Sequence, residues 1–127
     1  MITPFLRFDG NCEEAFNFYA EAFGRKGVSI SRLNNDPNNP VMHAQVNLTE
    51  TGAISGSDGM KPDWHKSSIE LIVHLTREQV EDVFAKLSEG AIEAKGFIQH
   101  PPPDDNSGSA FVVDKYGYTW FLCCLCD

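Results

Sequence analysis

The stretch DKYGYTWFLCCLCD, residues 114 to 127, carries three of the four cysteines of the chain. Thiolates are nucleophiles and soft metal ligands, so Cys123, Cys124 and Cys126 are the first residues to weigh for chemistry. Their spacing is Cys-Cys-x-Cys, not the Cys-x-x-Cys of zinc and dithiol sites, and no second pair exists. Strand alternation divides them, with Trp120, Leu122, Cys124 and Cys126 on one face and Phe121 and Cys123 on the other. Cysteine is among the most buried residue types and packs as a small hydrophobe, so core packing is expected and no disulfide is needed. Cys123 stands apart, on the face away from the core.

Histidine is the second candidate, since a neutral imidazole both donates and accepts near pH 7. In VMHAQVNL, Met42, Ala44, Val46 and Leu48 alternate with His43, Gln45 and Asn47, the pattern of a half-buried strand with one polar face. IELIVHL repeats it, Leu71, Val73 and Leu75 against Glu70, Ile72 and His74. In the first run Leu6 and Phe8 oppose Thr3, Phe5 and Arg7. With the apolar faces packed beneath helices, the other faces present Arg7, His43, Gln45, Glu70, His74 and Cys123 beside Phe5 and Phe121. Those residues would line an apolar-walled cavity with a few polar groups. A face wetted by solvent gives the same alternation, so both readings stand. His43 and Glu70 are the candidate catalytic pair, as acid and base; a structural, hydrogen-bonded His43 is the alternative. His65 and His100 fall in loops. Trp64 and the segment HPPPDD are candidates for a cavity rim, with plain solvated loops as the alternative. No phosphate-binding glycine loop, Gly-x-Ser-x-Gly elbow or serine triad is visible.

The elements that must position these residues are legible from periodicity. Ile2 to Phe8 reads as a strand, and NCEEAFNFYAEAFG as a helix with Asn11 and Glu14 as a capping box. Ala15, Phe16, Tyr19, Ala22 and Phe23 form its apolar stripe, and Gly24 ends it. GVSISRL, VMHAQVNL and GAISGS follow as strands, the first two separated by the turn-forming NNDPNNP. The pattern then recurs. SIELIVHL is a strand; TREQVEDVFAKLSEG is a helix capped by Thr76 and Gln79, with Val80, Val83, Phe84 and Leu87 as its stripe and Gly90 at its end. AIEAKGFIQ, SAFVVD and YTWFLCCLC are three more strands. The caps Asn11 and Thr76 lie 65 residues apart and the terminal glycines 66 apart. This is an internal structural repeat, strand-helix-three strands, written twice.

Length and charge narrow the function classes. A chain of 127 residues fits one domain, here built of modules 1–57 and 68–127. With 42% hydrophobic and 22% charged residues it is globular and not a disordered polyelectrolyte. The net charge of −8 opposes nucleic-acid phosphates and acidic membrane surfaces. No apolar run approaches the ~20 residues that span a bilayer, and no secretory signal is visible. A cytoplasmic protein with reduced thiols is expected.

The repeat, with ITPFLRFDGNCEEAFNFYAEAFG, MHAQVNL and DKYGYTW, resembles the vicinal oxygen chelate superfamily of glyoxalases, extradiol dioxygenases and bleomycin-resistance proteins. Within it, the PhnB-like branch is the most similar, and the likeness covers essentially the whole chain. The resemblance implies an α+β fold of two βαβββ modules, with curved mixed sheets around a cavity and helices on the outer face, usually in a homodimer. Metal-using members take one ligand each from the first, fourth, fifth and eighth strands. The matching positions here hold Thr3 or Pro4, Ser55 or Ser57, Glu70 and Phe121, at most one of the family's donors. No metal and no cofactor are therefore expected.

The leading reading is a PhnB-like, glyoxalase-like protein that binds a small molecule in an apolar cavity, reaction unassigned. An enzyme of lyase, isomerase or dioxygenase type, using His43 and Glu70 with or without a displaced divalent metal, is the alternative. A non-catalytic dimeric interaction module is the third.

Overall fold

The computed structural model describes residues 2–59 and 69–126. The chain divides into two compact units, residues 1–63 and 64–127. The first contains β1 (Phe5–Phe8), α1 (Cys12–Ala22), β2 (Ser29–Arg32), β3 (Val41–Asn47) and β4 (Ala53–Asp58). The second contains β5 (Leu71–His74), α2 (Arg77–Leu87), β6 (Glu93–Gln99), β7 (Ser107–Val113) and β8 (Thr119–Leu125). The sheets run β1-β4-β3-β2 and β5-β8-β7-β6, and neither is closed. In both, the first strand pairs parallel with the last and the remaining pairs are antiparallel. This is the α+β, double βαβββ architecture of the glyoxalase-like fold.

In the first unit α1 lies across β3 and β4. Phe8, Phe16 and Tyr19 interlock at its centre, with centroid separations of 6.0, 6.1 and 6.5 Å and tilted to edge-on rings, the arrangement that ring quadrupoles favour. The close approach needs Gly56. A methyl there would lie 2.6 Å from the Leu6 carbonyl oxygen and 2.8 Å from the Phe16 ring.

Two local expectations give way to tertiary contacts. Asn11 precedes α1, but its side chain makes no capping bond. The carboxylate of Asp58, at the end of β4, does this instead. The Cys12 N–H donates to Asp58 Oδ1 at 3.0 Å, and the Val41 N–H donates to Oδ2 at 3.1 Å. One anion thus ties the positive end of α1 to the start of β3. In β3, Met42 is 54% exposed, not part of the core, and Val41 is buried in its place. The pairing jumps from Ser31–His43 to Arg32–Val41, so Met42 is the extra residue of a β-bulge.

The second unit follows its sequence signals more closely. Gln79 N–H donates to Thr76 Oγ1 while Thr76 N–H donates to Gln79 Oε1, completing the expected box. Gly24 and Gly90 close the two helices at φ +66° and +67°. Val80, Val83 and Leu87 of α2 are buried, as are Ala110 and Val112 of β7 and Trp120, Leu122 and Cys124 of β8. Strand ends differ from expectation: β1 begins at Phe5 and β5 at Leu71, so Ile2, Thr3 and Glu70 precede their strands.

Leu122 and Leu125 provide an internal control for the register of β8, since they sit on opposite faces at 0% and 71% exposure. Leu122→Ala should cost about 2–5 kcal/mol of stability, while Leu125→Ala should stay within about 0.5 kcal/mol. Urea unfolding of the two variants checks this, and similar losses in both would place β8 in the wrong register.

Candidate functional site

Each sheet has one face covered by its helix and one open face, and the candidate residues fall on the open faces. In the first unit, β4 presents the small side chains of Ala53, Ser55 and Ser57 there, both serines buried. Small side chains on the central strand let residues of β1 and β3 meet across it. Phe5 and His43 approach to 6.4 Å between ring centroids at a 47° tilt. The Arg7 guanidinium carbon stands 4.8 Å over the Phe5 ring, and Arg7 Nη1 donates to Ser57 Oγ at 3.0 Å. Phe5, Arg7 and His43 therefore form one cluster. His43 and Gln45 also border a groove of about 290 Å³ with Ser29, Ser31 and Asn47, its walls mostly polar.

The second unit holds a larger cleft, about 710 Å³. Ile72, Leu75, Cys123 and Leu125 supply its apolar wall, with His74, His100, Asp104, Asn106 and Ser107 as the polar groups. Thus His74 and Cys123, of the expected cavity set, come together here. Phe121 lies on the same open face in edge-on contact with Phe111 at 5.1 Å. Glu70 is exposed just ahead of β5. Of the rim candidates, His100 and Asp104 line the cleft, while Trp64 lies outside the described residues, as does the loop histidine His65.

His100 was expected in a loop at the candidate rim without defined partners, and the hairpin supplies them. Pairing of Gln99 with Gly108 across β6 and β7 brings the two serines that flank Gly108 against the ring. His100 Nδ1 is 3.0 Å from Ser107 Oγ and Nε2 is 2.8 Å from Ser109 Oγ. Ser107 Oγ donates to the Asp104 carbonyl oxygen, so its hydrogen is spent and Nδ1–H must donate to it. The Nε2 of the neutral ring then accepts from Ser109. Both nitrogens are engaged, which makes His100 the clasp of the loop bordering the cleft. The His74 ring, by contrast, has no hydrogen bond to a described residue. The sequence signal that would have found the clasp is serine on both sides of a hairpin glycine, opposite a histidine at the strand end.

The thiols divide as alternation requires. All four cysteines are thiols, Cys12 and Cys124 buried and Cys123 and Cys126 half-buried. Burial, then the Asp58 carboxylate, pushes the Cys12 thiol up to about 12, although it sits at a helix N-terminus. Burial also raises Cys123, with Cys124 adding to it.

Comparison with known proteins places this geometry. The family model described as 3-demethylubiquinone-9 3-methyltransferase matches residues 1–123. The chain belongs to that family. Protein PA1353 from Pseudomonas aeruginosa is similar over 100% of this chain and 98% of its own, at 22% identity and a TM-score of 0.81. A putative 3-demethylubiquinone-9 3-methyltransferase, PhnB protein, from Bacillus cereus shares 29% identity over 97% of this chain and 98% of its own, with a TM-score of 0.77. The fosfomycin resistance protein FosX from Listeria monocytogenes, complexed with Mn(II) and sulfate, shares the fold at 11% identity and a TM-score of 0.68, over 98% and 90% of the two chains. No curated protein matches the chain. The resemblance to the vicinal oxygen chelate superfamily and its PhnB-like branch holds.

The residues present do not fit the groups that this kinship brings to mind. Of the four metal positions, Thr3 is exposed before β1, Ser57 is bonded to Arg7, Phe121 packs on Phe111, and only Glu70 carries a charge. A divalent ion needs three or four N, O or S donors, and one carboxylate does not make that set. Among the described residues no three His, Cys, Asp or Glu side chains gather. A nucleotide-type cofactor fares no better at the β1–α1 turn, because the Asp58 carboxylate already occupies the end of α1 where a phosphate would sit.

Thiolates, not thiols, react with iodoacetamide, so alkylation of the folded protein tests the thiol placement. At pH 7.5 Cys126 should label first and Cys123 slowly, with Cys12 and Cys124 modified only after unfolding. Mass mapping showing early labelling of Cys12 would contradict its burial.

Proposed function

We propose that this protein binds a small, largely apolar molecule in the cleft of its second unit. The observation that carries this reading is the cleft itself, about 710 Å³ with apolar walls and a few polar groups. That volume lies within the range of pockets that hold drug-sized ligands. Apolar surface that stays exposed around it fits the same role: Ile72, Ile98 and Leu125 are 60%, 65% and 71% exposed on the open face of the sheet.

Binding without an assigned reaction is favoured over metal-dependent chemistry by the donor set described above. The groups in the cleft suit recognition. Imidazole, hydroxyl and amide side chains fix the orientation of a bound molecule, and the apolar wall supplies the affinity. Among the described residues no helix is long and apolar enough to cross a membrane. In this reading the protein works in the cytoplasm with its thiols reduced, as fits four cysteines without a disulfide.

N-phenyl-1-naphthylamine, a neutral apolar probe whose emission rises in dry surroundings, should bind saturably at about one molecule per chain. Leu125→Glu sets a charge against the apolar wall and should weaken the probe about tenfold or more. Because Leu125 is exposed, the melting temperature should hardly move. Unchanged probe affinity in a folded Leu125→Glu protein would move the site elsewhere.

A further inference from the structure

With the cleft of the second unit taken as the ligand site, we infer that it selects molecules with an apolar body and a neutral or cationic hydrogen-bonding head, and rejects anionic ones. Its polar groups are not equivalent. His100 is spent on Ser107 and Ser109. Ser107 directs its hydrogen to the Asp104 carbonyl oxygen, and the Asn106 carbonyl oxygen accepts from the Cys126 N–H. Three side chains keep their bonding capacity; the Asn106 amide donates and accepts alike, so it does not discriminate by charge, and the other two are His74 and Asp104. His74 stands on the cleft wall without a described hydrogen-bond partner, and Asp104 is held by its backbone while its carboxylate bonds to no described residue.

Charge decides which ligands those two can serve. Neither Lys nor Arg is among the residues lining the cleft, and Asp104 is its one carboxylate. A carboxylate or sulfonate entering the cleft meets a like charge beside apolar walls, where field lines are less screened than in open water. The chain's net charge of −8 acts in the same direction. A hydroxyl or ammonium head, by contrast, has acceptors in the Asp104 carboxylate and a neutral His74 nitrogen. The rest of the ligand lies against Ile72, Cys123 and Leu125. His74 and Asp104 are thus the specificity-determining residues of the cleft.

A set of naphthalenes with one body and three heads separates this inference from the reading it rests on. Displacement of N-phenyl-1-naphthylamine at pH 7.5 should place 2-naphthol and 2-naphthylmethylamine about fivefold to tenfold above 2-naphthoate. Asp104→Asn keeps the backbone bonds of the loop and should strengthen 2-naphthoate while weakening the amine. His74→Leu should weaken 2-naphthol about threefold to tenfold. Equal affinity for the three heads, or no change for 2-naphthoate in Asp104→Asn, would overturn the inference and leave the cleft standing as a site. Absence of any saturable probe signal in the unmodified protein would remove both.

Discussion

One buried carboxylate, Asp114, helps pin β8 of the second sheet in register. Trp120 Nε1 donates to Asp114 Oδ2 at 2.9 Å, and Asp114 Oδ1 accepts from the backbone N–H groups of Tyr116 and Tyr118 at 2.9 and 3.0 Å. Asp114 is fully buried, so an unpaired carboxylate there would be costly, and a one-residue slip of β8 would break its bond to Trp120. With Trp120 fixed beneath α2, Leu122 and Cys124 follow it inward. Phe121, Cys123 and Leu125 are then obliged to face the open side. The wall of the cleft is the consequence of a carboxylate that never touches it.

Asp58 does comparable work in the first unit, by a different geometry. It joins the start of α1 to the start of β3, and so sets where β3 turns His43 and Gln45 outward. The open faces that result differ in chemistry. The first carries Ser29, Ser31, His43 and Gln45 around a small polar groove. The second carries Ile72, Ile98, Phe111, Phe121 and Leu125, of which Ile72 and Leu125 border a larger, mostly apolar one. Apolar burial supplies most of the free energy of binding small molecules, whereas polar groups in water mainly exchange one set of hydrogen bonds for another. The second face therefore carries the functional reading.

Periodicity made the architecture legible, because each strand and helix buries one face and shows it in sequence. The repeat, both helix ends, the Thr76 box and the inward set of β8 all follow from local rules. The failures share a cause. Asn11 has the right residue type for a cap, but Asp58, 46 residues from Cys12, takes the donor. Met42 obeys alternation in sequence, yet a bulge turns it outward and Val41 inward. Part of the candidate cleft was legible: alternation put His74 and Cys123 on one open face, and both border it. The segment HPPPDD was legible as a candidate rim, and His100 and Asp104 of it border the cleft; Ser107 and the clasp were not legible, since a hairpin brings them together. Local composition does not encode that meeting.

The proposed ligand site is the cleft between the end of β8 and the loop clasped by His100. Amide chemical-shift mapping of nitrogen-15-labelled protein during titration with N-phenyl-1-naphthylamine tests it most directly. The account predicts saturable shifts concentrated at Ile72, His74, His100, Ser107, Cys123 and Leu125, the residues that border the cleft. Shifts concentrated instead at Ser29, Ser31, His43 and Gln45 would contradict it.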